Sequence, residues 1–182
     1  MKVIGVVGLP GSGKGEVSKI AGKMGIPVVV MGDVIRERVR AAGRDPTDTN
    51  LGEVSRSLRA ELGMDAIARL TIPAIESQES PIVLVDGIRG DYEVATFRQR
   101  FSEFVLVGIT APFAVRLARL ARRGRADDML TEDDLRARDE RELGWGLLRA
   151  LREADYTVEN AGSVEDLAAE VEGLFARLGG DA

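Results

Sequence analysis

Residues 8–15, which read Gly-Leu-Pro-Gly-Ser-Gly-Lys-Gly, restrict the possible folds of this chain more than any other segment. They follow a short β-branched run, residues 2–7, and precede a helical stretch that should extend to about Met24. A G-x-x-x-x-G-K sequence between a strand and a helix lets successive backbone N–H groups surround phosphate oxygens, and the helix N-terminus adds positive potential. The segment therefore predicts a phosphate-binding loop in which Lys14 reaches the outer phosphates.

Strand-like and helix-like segments alternate along the rest of the chain. Strands are predicted at residues 2–7, 26–31, 81–86, 104–109 and 156–159, and helices at 33–42, 51–62, 64–76, 92–101, 112–123 and 164–178. This alternation predicts an α/β fold with a five-stranded parallel sheet and helices on both faces. Together with the phosphate-binding loop after the first strand, it predicts a three-layer P-loop NTPase fold. The length of 182 residues fits a single domain over residues 1–182.

Two long interruptions of this pattern are expected at the carboxyl ends of the strands, where open α/β sheets bind ligands. One is a helical insert at about residues 44–80, and the other is an Arg-rich stretch at residues 122–152. Within the second stretch, Trp145 is expected to pack against other residues rather than to contact a ligand. Near the end of the chain, Ser163 is placed to cap the last helix.

The composition excludes several kinds of chemistry. The chain has no Cys and no His, which excludes disulfides, thiol catalysis, Ser-His hydrolases and sites built on thiolate or imidazole ligands. A net charge of −5 argues against nucleic acid as a partner. With neither an apolar stretch of about 20 residues nor a signal peptide, the sequence predicts a cytoplasmic protein that does not span a membrane.

Two further motifs each place an aspartate close before an arginine. Gly32-Asp33-Val34-Ile35-Arg36 begins a predicted helix on which Asp33 and Arg36 share a face. Val85-Asp86-Gly87-Ile88-Arg89 ends the third predicted strand. A carboxylate at the end of a buried strand is costly unless it meets a cation or hydrogen-bond donors, so Asp86 is a candidate functional residue.

Arginines are also concentrated after the fourth predicted strand. Arg119 and Arg123 are spaced i, i+4, and Arg125-Ala-Asp-Asp128 follows. Arg136 stands eleven residues after Arg125, with Arg138 and Arg141 as rivals on the same predicted helix.

With these motifs the chain resembles a P-loop nucleoside monophosphate kinase of the adenylate kinase type. It is more closely similar to an archaeal adenylate-kinase-related ATP-binding family, and residues 154–163 resemble the fifth-strand exit of dephospho-CoA kinases and cytidylate kinases. The resemblance covers nearly the whole chain. It implies ATP and Mg²⁺ as cofactors and transfer of the γ-phosphoryl of ATP to a small nucleotide-like phosphate acceptor, a nucleoside monophosphate.

The resemblance also implies a role for each motif residue. Catalytic roles fall on Lys14, Asp86, Arg89, Arg123, Arg125 and Arg138, with Asp86 holding the metal through water. Cofactor contacts fall on Gly8, Leu9, Pro10, Gly11, Ser12, Gly13, Lys14, Gly15, Glu16 and Arg119. Acceptor contacts fall on Asp33, Arg36 and Arg89. The insert is expected to select the acceptor through Arg44, Arg56, Arg59 or Arg69, and a short lid at about residues 122–141 is expected to close over the transfer.

The loop departs from the common pattern at its end. Gly15 stands where Ser or Thr usually helps to hold magnesium, and Glu16 stands where the resembling kinases have Thr. The sequence leaves open whether Glu16 orients metal-bound water or repels an α-phosphate. Three alternatives therefore remain beside nucleoside monophosphate kinase: dephospho-CoA as the acceptor, a slow ATPase, and a non-catalytic ATP-binding switch.

Overall fold

A five-stranded parallel sheet forms the centre of the computed structural model, which describes residues 1–123 and 131–180. Its strands are β1 (Lys2–Val7), β2 (Val28–Val30), β3 (Ile82–Asp86), β4 (Phe104–Thr110) and β5 (Tyr156–Glu159), in the order β2-β3-β1-β4-β5. Every neighbouring pair of strands runs parallel. All residues of β1 are buried, because a central parallel strand is covered on both faces.

Helices cover both faces of the sheet, which confirms the predicted three-layer fold. They are α1 (Lys14–Lys23), α2 (Met31–Ala41), α3 (Asp48–Leu62), α4 (Ala66–Glu76), α5 (Asp91–Arg100), α6 (Phe113–Arg123), α7 (Glu132–Glu142), α8 (Leu148–Arg152) and α9 (Val164–Gly180), with a π-helical turn at Leu143–Leu147. One apolar cluster packs α1 and α9 against the sheet. The other packs α2, α4, α5 and α8 against the opposite face.

Three local boundaries can be compared with the sequence predictions. β2 is shorter than predicted at both ends, and at its carboxyl end α2 begins immediately at Met31. α3 begins earlier than predicted, at Asp48, because the Thr47 hydroxyl accepts a hydrogen bond from the Asn50 N–H and caps the helix. The predicted cap of the last helix is confirmed: the Asp166 N–H donates to Ser163 Oγ at 3.1 Å.

The sheet topology brings two of the sequence motifs to the same edge. β1 lies between β3 and β4, so the chain leaves its carboxyl end where the strand order reverses. In the pairing of β1 with β3, Val6 lies opposite Asp86. The loop that follows β1 therefore starts beside the aspartate that ends β3.

In the two described ranges, no helix has the length and apolar character needed to cross a bilayer.

Candidate phosphate-binding site

The loop between β1 and α1 depends on two glycines with positive φ. Gly11 has φ 76° and Gly13 has φ 109°, which are left-handed conformations that residues with a Cβ rarely adopt. A Cβ on Gly13 would lie 2.1 Å from Asn160 Nδ2, and one on Gly11 would lie 2.9 Å from the Arg116 carbonyl oxygen. The backbone curls tightly here, with the Ser12 N–H donating to the Leu9 carbonyl at 3.1 Å. Both glycines are therefore required by conformation and by close approach.

Lys14 begins α1 and turns its ammonium back toward the loop. Its Nζ donates to the carbonyl oxygens of Gly8 at 2.5 Å and Leu9 at 3.2 Å. The pKa of Lys14 is lowered from 10.5 to about 8, chiefly by burial. The positive charges of Arg89 and Arg138 also act to lower it, whereas Glu142 and Asp86 act to raise it. These four charged side chains therefore lie close enough to Lys14 to act on it electrostatically.

Asp86 is held in place by a serine on α1. Ser18 Oγ lies 2.9 Å from Asp86 Oδ2 and 3.2 Å from the Lys14 carbonyl oxygen one turn earlier. The sequence analysis missed Ser18, although its i+4 spacing from Lys14 could have indicated that it faces the loop.

A buried glutamate brings together two of the predicted catalytic arginines. Glu142, at the end of α7, accepts from Arg89 Nη1 at 2.9 Å and from Arg138 Nε at 3.1 Å through the same oxygen, Oε1. The sequence analysis missed Glu142, because a glutamate in a highly charged helix looks like any solvated charge. Arg89, Arg138 and Lys14 thus form a cluster of three cations, near which lie the carboxylates of Asp86 and Glu142.

Asn160, just after β5, supports the loop from the other side. Its Nδ2 donates to the Ser12 carbonyl at 2.8 Å. Arg119 donates to this asparagine twice, from Nη1 to the backbone carbonyl at 3.1 Å and from Nη2 to Oδ1 at 2.8 Å. Arg119, which the resemblance assigns to the cofactor, is thus positioned through Asn160. The only sequence signal for Asn160 is its place in residues 154–163.

Arg116 connects the loop to α7. The buried guanidinium donates from Nη1 to the Pro10 carbonyl at 3.1 Å and pairs with Asp139 through Nη1 at 2.9 Å and Nη2 at 2.5 Å. This two-bond ion pair joins the loop and the helix that carries Arg138, so the positions of the two elements depend on each other.

The other predicted residues of the loop end lie at the surface. Glu16 pairs with Lys19 at 2.8 Å, and both side chains are exposed. Gly15 faces open space, since a Cβ there would meet nothing within 4 Å. The Ser12 hydroxyl is buried and, among the residues described, has no hydrogen-bond partner.

The remaining candidates are only partly located. Asp33 and Arg36 form an i, i+3 ion pair on the exposed face of α2, as predicted for a shared face, but they contact each other rather than the cluster around Lys14. Arg123 is the last residue of α6, and its side chain lies outside the described part of the structure. Arg125 lies outside the described residues altogether.

A small cavity of about 10 Å³ adjoins Arg89 and has room for about one water molecule. Its lining includes Arg59 from the insert, and Arg59 Nη2 donates to the buried Glu93 at 3.1 Å. Burial raises the pKa of Glu93, even though the Arg89 N–H also donates to this carboxylate at 2.7 Å. Trp145 also lines the cavity, with the guanidinium of Arg59 5.8 Å from its ring centre. Of the four insert arginines considered, Arg59 is therefore the one that lines this cavity together with the predicted acceptor residue Arg89, and both bind the carboxylate of Glu93.

The oxygen donors near the loop suit a magnesium ion that is also bound by phosphates better than a metal that is held by protein side chains alone. The described residues contain no group of three or more side chains suited to hold a metal. Asp86 and the hydroxyl of Ser18 nevertheless place oxygen donors at the mouth of the loop. Mg²⁺ prefers such oxygens and is commonly held by one or two carboxylates together with substrate phosphates.

Comparisons with known proteins agree with this geometry. A family model described as an AAA domain matches residues 7–136. A UPF0200 protein from Methanoculleus marisnigri is 64% identical over 180 residues, covering 99% of this chain and 98% of that protein.

Two solved structures share the fold. One is TT1252 from Thermus thermophilus, with a TM-score of 0.69, 21% identity and 97% of each chain covered. The other is shikimate kinase from Acinetobacter baumannii in complex with shikimate, with a TM-score of 0.65, 22% identity, and 97% of this chain and 94% of that chain covered. At these identities the likeness shows a P-loop kinase-like fold and nothing finer. From the family match and the near full-length relative, the chain belongs to the AAA domain family and to the UPF0200 protein family.

Proposed function

We propose that this chain is an ATP-dependent phosphotransferase whose acceptor is a small nucleotide-like phosphate, a nucleoside monophosphate in the first instance. The observation that carries the proposal is the convergence of Lys14, Arg89 and Arg138 beside a glycine-rich loop at the end of β1. Three cations beside such a loop suit a triphosphate facing a second phosphate.

The proposed reaction needs little covalent chemistry from the protein. The bond between the γ-phosphorus and the β,γ-bridging oxygen breaks, and a phosphate oxygen of the acceptor forms the new bond, which leaves ADP and a diphosphate product. Because the acceptor phosphate is already ionised at neutral pH, no strong general base is required. Catalysis then depends on positioning and on neutralising charge, which a chain without His or Cys can supply.

The proposed roles combine the positions of the described side chains with the resemblance seen in the sequence. Lys14 is already at the loop and would leave the Gly8 and Leu9 carbonyls to contact the β- and γ-phosphate oxygens. Arg89 and Arg36 would hold the acceptor phosphate. Arg138 would approach the transferring group from α7 and, together with Arg123 and Arg125, help to exclude water. Magnesium, when bound with ATP, supplies further neutralisation of the phosphate oxygens, and Asp86 would hold it through water.

The position of Glu16 is compatible with ATP binding, which both catalysis and the switch alternative require. A carboxylate turned toward the α-phosphate would oppose ATP binding, but Glu16 pairs with Lys19 at the surface. The insert gives no equivalent reason to choose one acceptor, because the cavity beside Arg59 and Arg89 holds only about one water molecule. Acceptor identity is therefore the object of the test.

The test is a panel of acceptors assayed with ATP and magnesium: the nucleoside monophosphates, dephospho-CoA, and shikimate as a hydroxyl acceptor. The expected result is a phosphorylated product with at least one phosphate acceptor, and loss of that product in Lys14→Met. Lys23→Met is the matched control, because it removes an exposed lysine from the same helix. Tight ATP binding with no product across the panel would favour the switch, and ATP hydrolysis alone would favour the slow ATPase.

A further inference from the structure

The residue that follows the loop lysine cannot contribute a side chain. In the common loop a Ser or Thr at this position places a hydroxyl at the magnesium site, whereas this chain has Gly15. Gly15 borders open space, so the missing side chain is not explained by crowding. Glu16 does not replace it, because it is paired with Lys19 on the surface.

A hydroxyl nevertheless reaches this region from the next turn of α1. Ser18 follows Lys14 by four residues, which places both on the same side of the helix. β3 lies next to β1, and Asp86 lies opposite Val6, so the end of β3 and the start of α1 are close together. Ser18 Oγ consequently lies 2.9 Å from Asp86 Oδ2, although the two residues are 68 positions apart in the sequence.

The Ser18 hydroxyl has two acceptors within reach but only one proton to donate. The Lys14 carbonyl, at 3.2 Å, is the acceptor that a helical serine commonly uses. The Asp86 carboxylate is closer, at 2.9 Å, and an ionised acceptor forms a stronger hydrogen bond than a neutral one. The proton therefore goes to Asp86.

We propose that Ser18 is a positioning residue that supplies, through Asp86, the hydroxyl function that Gly15 lacks. By donating to Oδ2, Ser18 fixes the orientation of the one carboxylate expected to serve magnesium. This inference rests on the proposed function, because it concerns the metal that accompanies ATP. Removing the hydrogen-bond partner of a metal ligand commonly lowers metal affinity by about 10- to 100-fold. Because Asp86 would hold magnesium through water, Ser18 should act at the lower end of this range, and on magnesium far more than on the nucleotide itself.

The test separates magnesium from ATP by calorimetry of ATP binding with magnesium and with EDTA, on the full chain. In the original protein, magnesium should tighten ATP binding. In Ser18→Ala the magnesium increment, which is the factor by which magnesium tightens ATP binding, should fall about tenfold, while the affinity for ATP in EDTA stays the same. The magnesium concentration that half-saturates turnover should rise by a similar factor.

Four further variants control for structural damage. Ser18→Thr keeps the hydroxyl and should keep the magnesium increment. Ser18→Val, which has the shape of threonine without the hydroxyl, should lose it. Ser55→Ala is the matched control, because the Ser55 hydroxyl donates to the Leu51 carbonyl four residues earlier, at 2.7 Å, and the substitution should change nothing. Gly15→Ser, added to Ser18→Ala, should restore part of the increment, since position 15 has space for a side chain.

The outcomes distinguish this inference from the proposed function. An unchanged magnesium increment in both Ser18→Ala and Ser18→Val would overturn the role of Ser18 and leave the proposed function intact. An equal loss of ATP affinity with magnesium and with EDTA would also overturn it, because Ser18 would then act on the shape of the loop. If the original protein bound no ATP at all, both proposals would fall.

Discussion

The pKa of Lys14 leads to a specific pH dependence of ATP binding. An exposed lysine stays charged up to about pH 10, but burial, together with the charges of Arg89 and Arg138, lowers the pKa of Lys14 to about 8. Bound phosphate favours the charged ammonium and so raises this pKa. The free protein must therefore take up a proton on Lys14 to bind ATP at a pH above 8, and binding weakens as the pH rises.

The size of the effect follows from this pKa. A group with a pKa of about 8 is about nine-tenths charged at pH 7 and about one-tenth charged at pH 9. The dissociation constant for ATP should thus rise about tenfold between pH 7 and pH 9, and about thirtyfold by pH 9.5. The phosphates of ATP are fully ionised over the upper part of this range, so they contribute little to the change.

Calorimetry at constant ionic strength from pH 7 to pH 9.5 measures this directly, with proton uptake obtained from buffers of different ionisation enthalpy. Lys14→Arg is the control, because a guanidinium stays charged throughout and its profile should be flat, whatever its absolute affinity. A wild-type affinity that holds constant to pH 9.5, or an equal decline in Lys14→Arg, would refute the reasoning.

The contribution of Lys14 to the free energy of unfolding should rise with pH, whereas the affinity for ATP should fall. Between the native pKa of about 8 and the unfolded value of 10.5, the unfolded chain holds the Lys14 proton and the native chain does not. The free energy of unfolding contributed by this group therefore rises with pH across that interval. In the absence of ATP, the change in urea midpoint from about pH 8 to about pH 10 should be more positive in the original protein than in Lys14→Met.

Three further substitutions test other parts of the site. Arg116→Met leaves the Asp139 carboxylate without its buried partner and should lower the free energy of unfolding by about 3–5 kcal/mol in urea titrations; a loss below about 1 kcal/mol would contradict the structural role. Gly90→Ala would place a Cβ 2.4 Å from the Trp145 carbonyl oxygen and should cost about 1–3 kcal/mol by the same measurement, whereas an unchanged midpoint would mean that the backbone moves apart freely. Arg36→Ala should raise the acceptor KM about tenfold with little change in the KM for ATP, and the reverse pattern would assign Arg36 to the nucleotide.

The fold could be predicted because its signals are local. Strand-length β-branched runs separated by helical periodicity specify a parallel sheet with crossover helices, and residues 82–86 show this pattern as clearly as residues 2–7 do. The loop could likewise be predicted because its signal lies in consecutive residues. Gly11 and Gly13 occupy the left-handed conformations that favour glycine. Boundaries were predicted less well: α3 begins early because of one hydrogen bond, from Asn50 to Thr47.

The residues around the loop depend instead on contacts between distant parts of the chain. Arg89 and Glu142 are 53 positions apart, and Asn160 and Ser12 are 148 positions apart. In the sequence, Glu142 is one charge among many, and only the packing of α7 over the sheet edge buries it between two arginines. Local pattern thus suffices for the sheet, the loop and the lysine. Partners, burial and the lowered pKa of Lys14 arise only when the strand order brings remote charges into a space with little water, where each acts strongly on the others.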